Sequence, residues 1–144
     1  MINKAYISGA LMGARDLEQV KVLYNFIATV CLKNGYAPYL PHLHTDPVKN
    51  QEATDMEVFS KDYAEMVSSS VVLSYIGEPS LGVGAELSIC VNRNIPVVSF
   101  FQRQSSVSRF LKGMLQSAGN TRQIEFDDFT SLEDELSAIL TELK

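Results

Sequence analysis

Apolar and polar positions alternate along this chain in a way that divides it into strands and helices in regular turn. Ala5-Tyr6-Ile7-Ser8 reads as a short strand running into Gly9, and Asp16 then caps a helix over about 17–34. Within that helix Val20, Leu23, Tyr24, Ile27, Val30 and Cys31 recur at the spacing of one buried face, and Gly35 supplies the C-terminal stop. Residues 36–40 form a second strand flanked by Pro41. Thr54 opens a second helix that carries Met56, Val58, Phe59, Tyr63 and Met66.

The stretches 71–76 (VVLSYI) and 95–101 (IPVVSFF) are almost wholly apolar, as befits parallel strands covered on both faces. A helix that Glu86 starts lies between them, and another spans about 106–117. Residues 122–126 read as an edge strand. The segment 131–143 closes the chain as an amphipathic helix with Leu132, Leu136, Ile139, Leu140 and Leu143 buried.

Strands alternating with helices in this way predict an α/β fold. The expected architecture is a doubly wound, Rossmann or flavodoxin-like, five-stranded parallel sheet with helices on both faces, ordered 2-1-3-4-5 or a close variant. In such sheets ligands bind beyond the carboxyl ends of the strands, at the switch point flanked by strands 1 and 3. Here those ends are 8–15, the His42 region, 77–86 and 102–106.

Composition narrows the picture. A length of 144 residues with 46% hydrophobic content fits a single domain, 1–144, able to bury a core without disulfides or metal staples. The net charge of −5 offers no basic stripe for a polynucleotide, so a small-molecule partner is expected. No stretch approaches the roughly 20 apolar residues of a membrane span. The first residues lack the apolar core of a signal peptide, so no membrane association and a cytoplasmic location are expected. Cys31 and Cys90 both sit inside apolar helical patterns and read as buried free thiols in a reducing compartment.

Candidate chemistry gathers after the third strand. Gly82 and Gly84 allow positive φ and close backbone approach, and the amides beyond them point outward as a helix N-terminus that receives an anion. The same glycines serve equally well to turn the chain. Glu86, in the first helical turn, gains about 0.3 to 1 kcal/mol from the helix dipole in its ionised form. It is either a ready nucleophile or an ordinary helix-start glutamate.

A second acid in a different environment would distinguish the two, since glycosidic chemistry needs one ionised and one protonatable carboxyl. Asp62 is the candidate, with Phe59, Tyr63 and Met66 in helical spacing around it to raise its pKa; a solvated aspartate beside Lys61 is the alternative. His42, His44 and Asp46 have the look of metal ligands, but their spacing is loose and no further histidine or cysteine completes a site. No metal or other cofactor is therefore expected. Recognition of a base or sugar by that loop, and a plain solvated loop, both remain open.

The segment "AYISGAL" at the first strand end, Asp62 ahead of the third strand, "PSLGVGAE" after it and "IPVV" in the fourth together resemble the nucleoside 2'-deoxyribosyltransferase-like superfamily, over about residues 4–120. The likeness is strongest to its 2'-deoxynucleoside 5'-monophosphate N-glycosidase branch. The resemblance implies that Glu86 attacks the anomeric carbon of a nucleoside sugar, that Tyr6 orients it, and that Asp62 protonates the departing base and later activates the acceptor. It places Ser80 near a 5'-phosphate, where a neutral hydroxyl is tolerated and a carboxylate would repel. Gly9, Gly82 and Gly84, as points of close approach, and His42, from the loop after strand 2, extend the expected substrate-binding set.

In that superfamily a neighbouring subunit completes the site, which implies a homodimer with a shared active site. Lys112 falls near the position of a phosphate-contacting serine. The chain also departs from the pattern. Ala10 and Met12 stand where relatives supply a serine and an arginine to the phosphate, with Arg15 three residues on; Ser70 replaces an aspartate, and Ala85 a bulkier residue, which implies a larger or different base pocket. The leading expectation is hydrolysis of the N-glycosidic bond of a nucleoside or nucleoside 5'-monophosphate, with base exchange between 2'-deoxynucleosides and a non-catalytic nucleotide-binding module as alternatives. A generic dinucleotide-binding domain is disfavoured, because "SGALMGA" lacks the G-x-G-x-x-G spacing and no acidic residue ends strand 2.

Overall fold

The computed structural model describes residues 2–11, 14, 16–45 and 48–144. The expectations attached to Met12, Arg15 and Asp46 therefore lie outside the described residues. Among the described residues five strands, β1 (Asn3–Ser8), β2 (Tyr36–Tyr39), β3 (Val71–Tyr75), β4 (Val97–Gln102) and β5 (Thr121–Phe126), alternate with five α-helices, and a short 3-10 turn, Pro41–Leu43, follows β2. The helices are α1 (Leu17–Lys33), α2 (Asp55–Val67), α3 (Leu81–Asn92), α4 (Arg109–Ser117) and α5 (Phe129–Glu142). All strand pairs are parallel and their order is β2-β1-β3-β4-β5, as the alternation of elements predicts.

Each helix starts where a side chain can accept from an otherwise unpaired amide. Asp16 accepts from Gln19 N at 3.1 Å, Thr54 from Glu57 N at 3.1 Å and Asp128 from Ser131 N at 2.8 Å. Because side chains on a strand point alternately to opposite faces, each strand feeds two cores. Ala5, Ile7, Leu73, Val98 and Phe100 pack under α1 and α5. Tyr6, Val72, Val97 and Phe101 pack under α2, α3 and α4 with Met66, Leu87 and Leu115. Strand β3 is buried along its whole length, which explains its unbroken apolar sequence.

In α2, Met56 and Phe59 are 77% and 58% exposed, and the buried Met66 anchors this helix to the sheet. Leu143, expected to be buried, is 39% exposed near the end of α5, while Leu132, Leu136 and Leu140 are buried as expected. Cys31 and Cys90 are buried free thiols. Among the described residues no helix is long and apolar enough to cross a membrane.

Candidate active site

The first crossover leaves β1 for α1 on one face, and the crossover after β3 leads to α3 on the other, so the chain diverges above the carboxyl ends of β1 and β3. Tyr6 and Ser8 end β1 on the α3 side. Tyr6 is 1% exposed, and its hydroxyl meets the carboxylate of Glu86 from α3.

Helix α3 begins earlier than its glycines suggest. Ser80 is the N-cap, accepting from Val83 N at 3.2 Å, and Leu81 is the first helical residue. Gly82 and Gly84 therefore lie inside the helix, and neither has the positive φ expected of a turn; among the described glycines only Gly35 does. Both glycines leave open space, with nothing within 4 Å of a Cβ placed on Gly84. Glu86 sits in the second turn rather than the first, where the dipole acts weakly.

Burial decides its titration instead. Removal from water pushes the Glu86 carboxyl up to about 7, with the charge of Asp62 adding to the shift and the hydroxyls of Tyr6 and Ser8 opposing it. Glu86 Oε2 is buried without a hydrogen-bond partner. Ser8 Oγ biases the carboxylate from nearby, yet it too has no closed hydrogen bond.

Asp62 reaches the same site from α2. The Tyr39 hydroxyl donates to its Oδ1 at 3.2 Å, and Thr45 Oγ1 approaches Oδ1 and Oδ2 at 3.3 and 3.1 Å. Burial raises its pKa, while Thr45, Tyr39, Lys61 and His44 hold it back. The solvated alternative is thus set aside, but the partners that define this carboxyl come from β2 and the turn after it. Phe59, expected to help bury it, lies against Tyr63 with ring centres 5.4 Å apart and planes tilted by 32°, and has more than half its surface in water.

Three rings form a column above β1 and β2: His44 stacks on Tyr39 at 4.9 Å and 5°, and Tyr39 on Tyr6 at 5.6 Å and 17°. His42, expected to contact substrate, is instead only 5% exposed and packs against Tyr24 at 6.2 Å. The two histidines thus pack against different rings, His42 against Tyr24 and His44 against Tyr39. Tyr39, Thr45 and Ser8 lie beside the two carboxyls and were missed by sequence reasoning, which singled out His44 only with its loop; the tyrosine that ends β2 was the one available signal.

Gly9 has a packing role that the structure makes plain. A Cβ there would lie 2.2 Å from Tyr24 Oη, whose hydroxyl donates to the Ala10 carbonyl at 3.0 Å. Gly9→Ala is expected to cost about 2 kcal/mol or more of stability, since the ring sits in the core and has no room to retreat. Chemical denaturation would measure it.

The remaining expected residues lie around this centre. Ser80 uses its oxygen as an acceptor in capping α3, which leaves its O–H free to donate to a ligand. A groove of about 690 Å³ lies between the start of α3 and α4, lined in part by Ile76, Ser80, Gly84, Ser88, Phe110 and Met114. Lys112 is half-buried on α4, with Nζ 5.2 Å from the centre of the Phe101 ring of its own chain. Ser70 lies just before β3, at the amino end of the sheet, where its amide donates to the Lys4 carbonyl at 2.8 Å. Its departure from the superfamily pattern therefore leaves the site untouched. Ala85 is exposed on α3.

Chemically, the site offers two carboxyls in different surroundings with a tyrosine hydroxyl acting on each, Tyr6 on Glu86 and Tyr39 on Asp62. Comparison with known proteins agrees with the likeness seen in the sequence. No family model matches the chain. It is 27% identical over 112 residues, 76% of this chain and 89% of the other, to a protein of Methanococcoides burtonii named "Putative 2'-deoxynucleoside 5'-phosphate N-hydrolase 1". It is 27% identical over 139 residues, 94% of this chain and 76% of the other, to the mouse 5-hydroxymethyl-dUMP N-hydrolase. Among solved structures, the 2-deoxyribosyltransferase of Bacillus psychrosaccharolyticus superposes with a TM-score of 0.68 at 18% identity, covering 95% of each chain. The resemblance to the deoxyribosyltransferase-like proteins and their doubly wound fold is borne out.

Proposed function

We propose that this protein is an N-glycosidase that hydrolyses a nucleoside or 2'-deoxynucleoside 5'-monophosphate, with Glu86 as nucleophile and Asp62 as acid and base. The observation that carries the reading is the convergence of Tyr6, Asp62 and Glu86, from three different elements, on one site at the strand ends. Likeness to proteins named as nucleotide N-hydrolases supports the enzyme class and the substrate class.

In the first step a Glu86 oxygen attacks the anomeric carbon. The bond from that carbon to the base nitrogen breaks, its electron pair stays with the base, and Asp62 delivers the proton that neutralises it. In the second step Asp62 takes a proton from water, the water oxygen attacks the same carbon, and Glu86 is released. The Tyr6 hydroxyl holds the carboxylate in line and stabilises its ionised form, as its effect on the Glu86 titration supports.

The two carboxyls together hold one proton over the range between the Asp62 titration and about pH 7; the strongly raised Glu86 titration keeps it mostly on Glu86, and the productive arrangement is the minor one with that proton on Asp62. Incubating the protein with a panel of nucleosides and 2'-deoxynucleoside 5'-monophosphates, with and without a second free base, and following base release by chromatography, tests the reading. Release that needs no second base supports hydrolysis, release only with a second base would mean exchange, and no release from any member would refute the assignment.

The reading extends to a second copy of the chain. Leu81 and Phe110 are 96% and 86% exposed beside the α3–α4 groove, an apolar display that a partner subunit would cover. Lys112 on the same helix as Phe110 would then reach the phosphate of the neighbouring site. Light scattering is expected to give twice the chain mass, and Lys112→Ala to raise KM about tenfold for a nucleotide and leave kcat and nucleoside cleavage little changed. A monomer with unaltered KM would contradict this part.

A further inference from the structure

The face of the sheet beneath α3 and α4 carries a row of polar side chains that the proposed mechanism does not yet use. Ser8, Ser74, Ser99 and Gln123 are register partners on β1, β3, β4 and β5, so they stand side by side across four strands. Their neighbours along each strand, Ile7, Leu73, Val98 and Ile124, point to the opposite core, which places the row on the Glu86 side. The three serines are fully buried and Gln123 is partly so.

A buried hydroxyl without a partner is destabilising, and alanine would fill the same space without that cost. Yet Ser8 Oγ, Ser74 Oγ and Gln123 Nε2 are all buried without a hydrogen-bond partner, and Ser99 Oγ reaches only the Arg122 carbonyl at 3.5 Å, the outer limit of such a bond. At the β1 end of the row the unpartnered atom is an acceptor, Glu86 Oε2; at the β5 end it is a donor, the Gln123 amide. Neighbouring strands lie ~4.8 Å apart, so small rotations of the serine side chains bring adjacent hydroxyls within reach of one another.

We propose that Ser8, Ser74, Ser99 and Gln123 form a hydrogen-bonded relay across the sheet that ends on Glu86 Oε2, with Ser8 as the residue that positions the carboxylate. Each member donates toward β1: Gln123 to Ser99, Ser99 to Ser74, Ser74 to Ser8, and Ser8 to Glu86. A relay supplied by an N–H donor at its far end satisfies an anion at its near end, and each bond polarises the next. It would draw Glu86 toward its ionised form alongside Tyr6, and hold the carboxylate in a fixed orientation. The catalytic meaning of the relay rests on the reading of Glu86 as nucleophile; its existence does not.

The groups that act on Glu86 from the surrounding elements are Tyr6 on β1, Ser8 beside it, Tyr24 on α1, Asp62 on α2 and Cys90 on α3 itself. None is altered by changing Ser74, which makes that position a clean probe. The test is a carbon-13 NMR titration of the Glu86 carboxyl in the free protein, identified by its loss in Glu86→Gln. Ser8→Ala is expected to raise the Glu86 midpoint by about one pH unit, and Ser74→Ala to raise it in the same direction by less.

Thermal melts on the same samples show that the variants are folded; because each substitution leaves a neighbouring member of the relay without its partner, a modest loss of stability is expected. A Glu86 midpoint unchanged in Ser8→Ala, or unchanged in Ser74→Ala while Ser8→Ala shifts, would overturn the relay. Because the titration is read without substrate, the relay and the catalytic reading fail separately: absence of base release from the unaltered protein bears on the latter alone.

Discussion

Glu86→Gln is expected to lower kcat for base release by about 10³-fold or more while making the protein more stable at pH 8. The loss follows because an amide oxygen cannot form and release a glycosyl ester in the way a carboxylate can. The gain follows from burial. The carboxyl titrates near 4.5 when free and at about 7 in the folded protein, so folding favours its protonated form.

That contribution is fully present below the unfolded pKa and is lost as pH rises through about 7. Above this range the folded state holds a buried charge at a cost on the order of 2 to 3 kcal/mol. Glutamine imitates the protonated acid and is free of that cost. Melting temperatures of the two proteins should therefore be nearly equal at pH 4 and well separated, with the variant higher, at pH 8. A variant that is inactive and no more stable at pH 8 would mean that Glu86 is solvated, contrary to the burial of its carboxyl between α3 and the sheet.

Asp62→Asn is expected to lower the rate by about 10² to 10⁴-fold, most for bases that leave poorly and least for those that depart without help. An amide on α2 keeps the size of the side chain, and Tyr39 and Thr45 can turn their hydroxyls to suit it, so the fold should survive. The diagnostic is the pH profile of kcat/KM. In the unaltered protein it should be a bell: below the Asp62 titration both carboxyls are protonated and no nucleophile remains, while above about pH 7 both are ionised and no acid remains. In Asp62→Asn the alkaline limb should vanish, leaving a rate that rises with pH and then stays level. An alkaline limb that persists would assign the acid to another group.

Much of this arrangement is legible in the amino-acid order. The apolar stretches that become β3 and β4 permit hardly anything but buried parallel strands, and the heptad-like spacing from Val20 to Cys31 specifies which face of α1 is covered. Glu86 and Asp62 are candidates from the residues alone and Tyr6 joins them by resemblance, and the fold brings the three together because strand ends and the helices of one face meet at the switch point. The start of α3 was misread for a physical reason. Two glycines cost helix stability of about 1 kcal/mol each and so look like a turn, but the Ser80 cap and the burial of Val83, Leu87 and Cys90 outweigh them.

Contacts that depend on where a loop comes to rest are harder to read. No periodicity distinguishes His42 from His44, yet one enters the core against Tyr24 and the other covers Tyr39 beside Asp62. Thr45 likewise gains its role only from the turn that carries it over α2. The polar row from Ser8 to Gln123 needs the register of four strands, which alternation alone leaves undetermined.

The central claim is that the sugar is held on Glu86 between two chemical steps, and rapid acid quench of the protein during turnover of a 2'-deoxynucleotide, followed by peptide mass spectrometry, tests it most directly. The account predicts a sugar-phosphate adduct on the peptide containing Glu86, formed as base is released and absent from Glu86→Gln. Steady base release by Glu86→Gln at the rate of the unaltered protein, with no adduct in either, would contradict it.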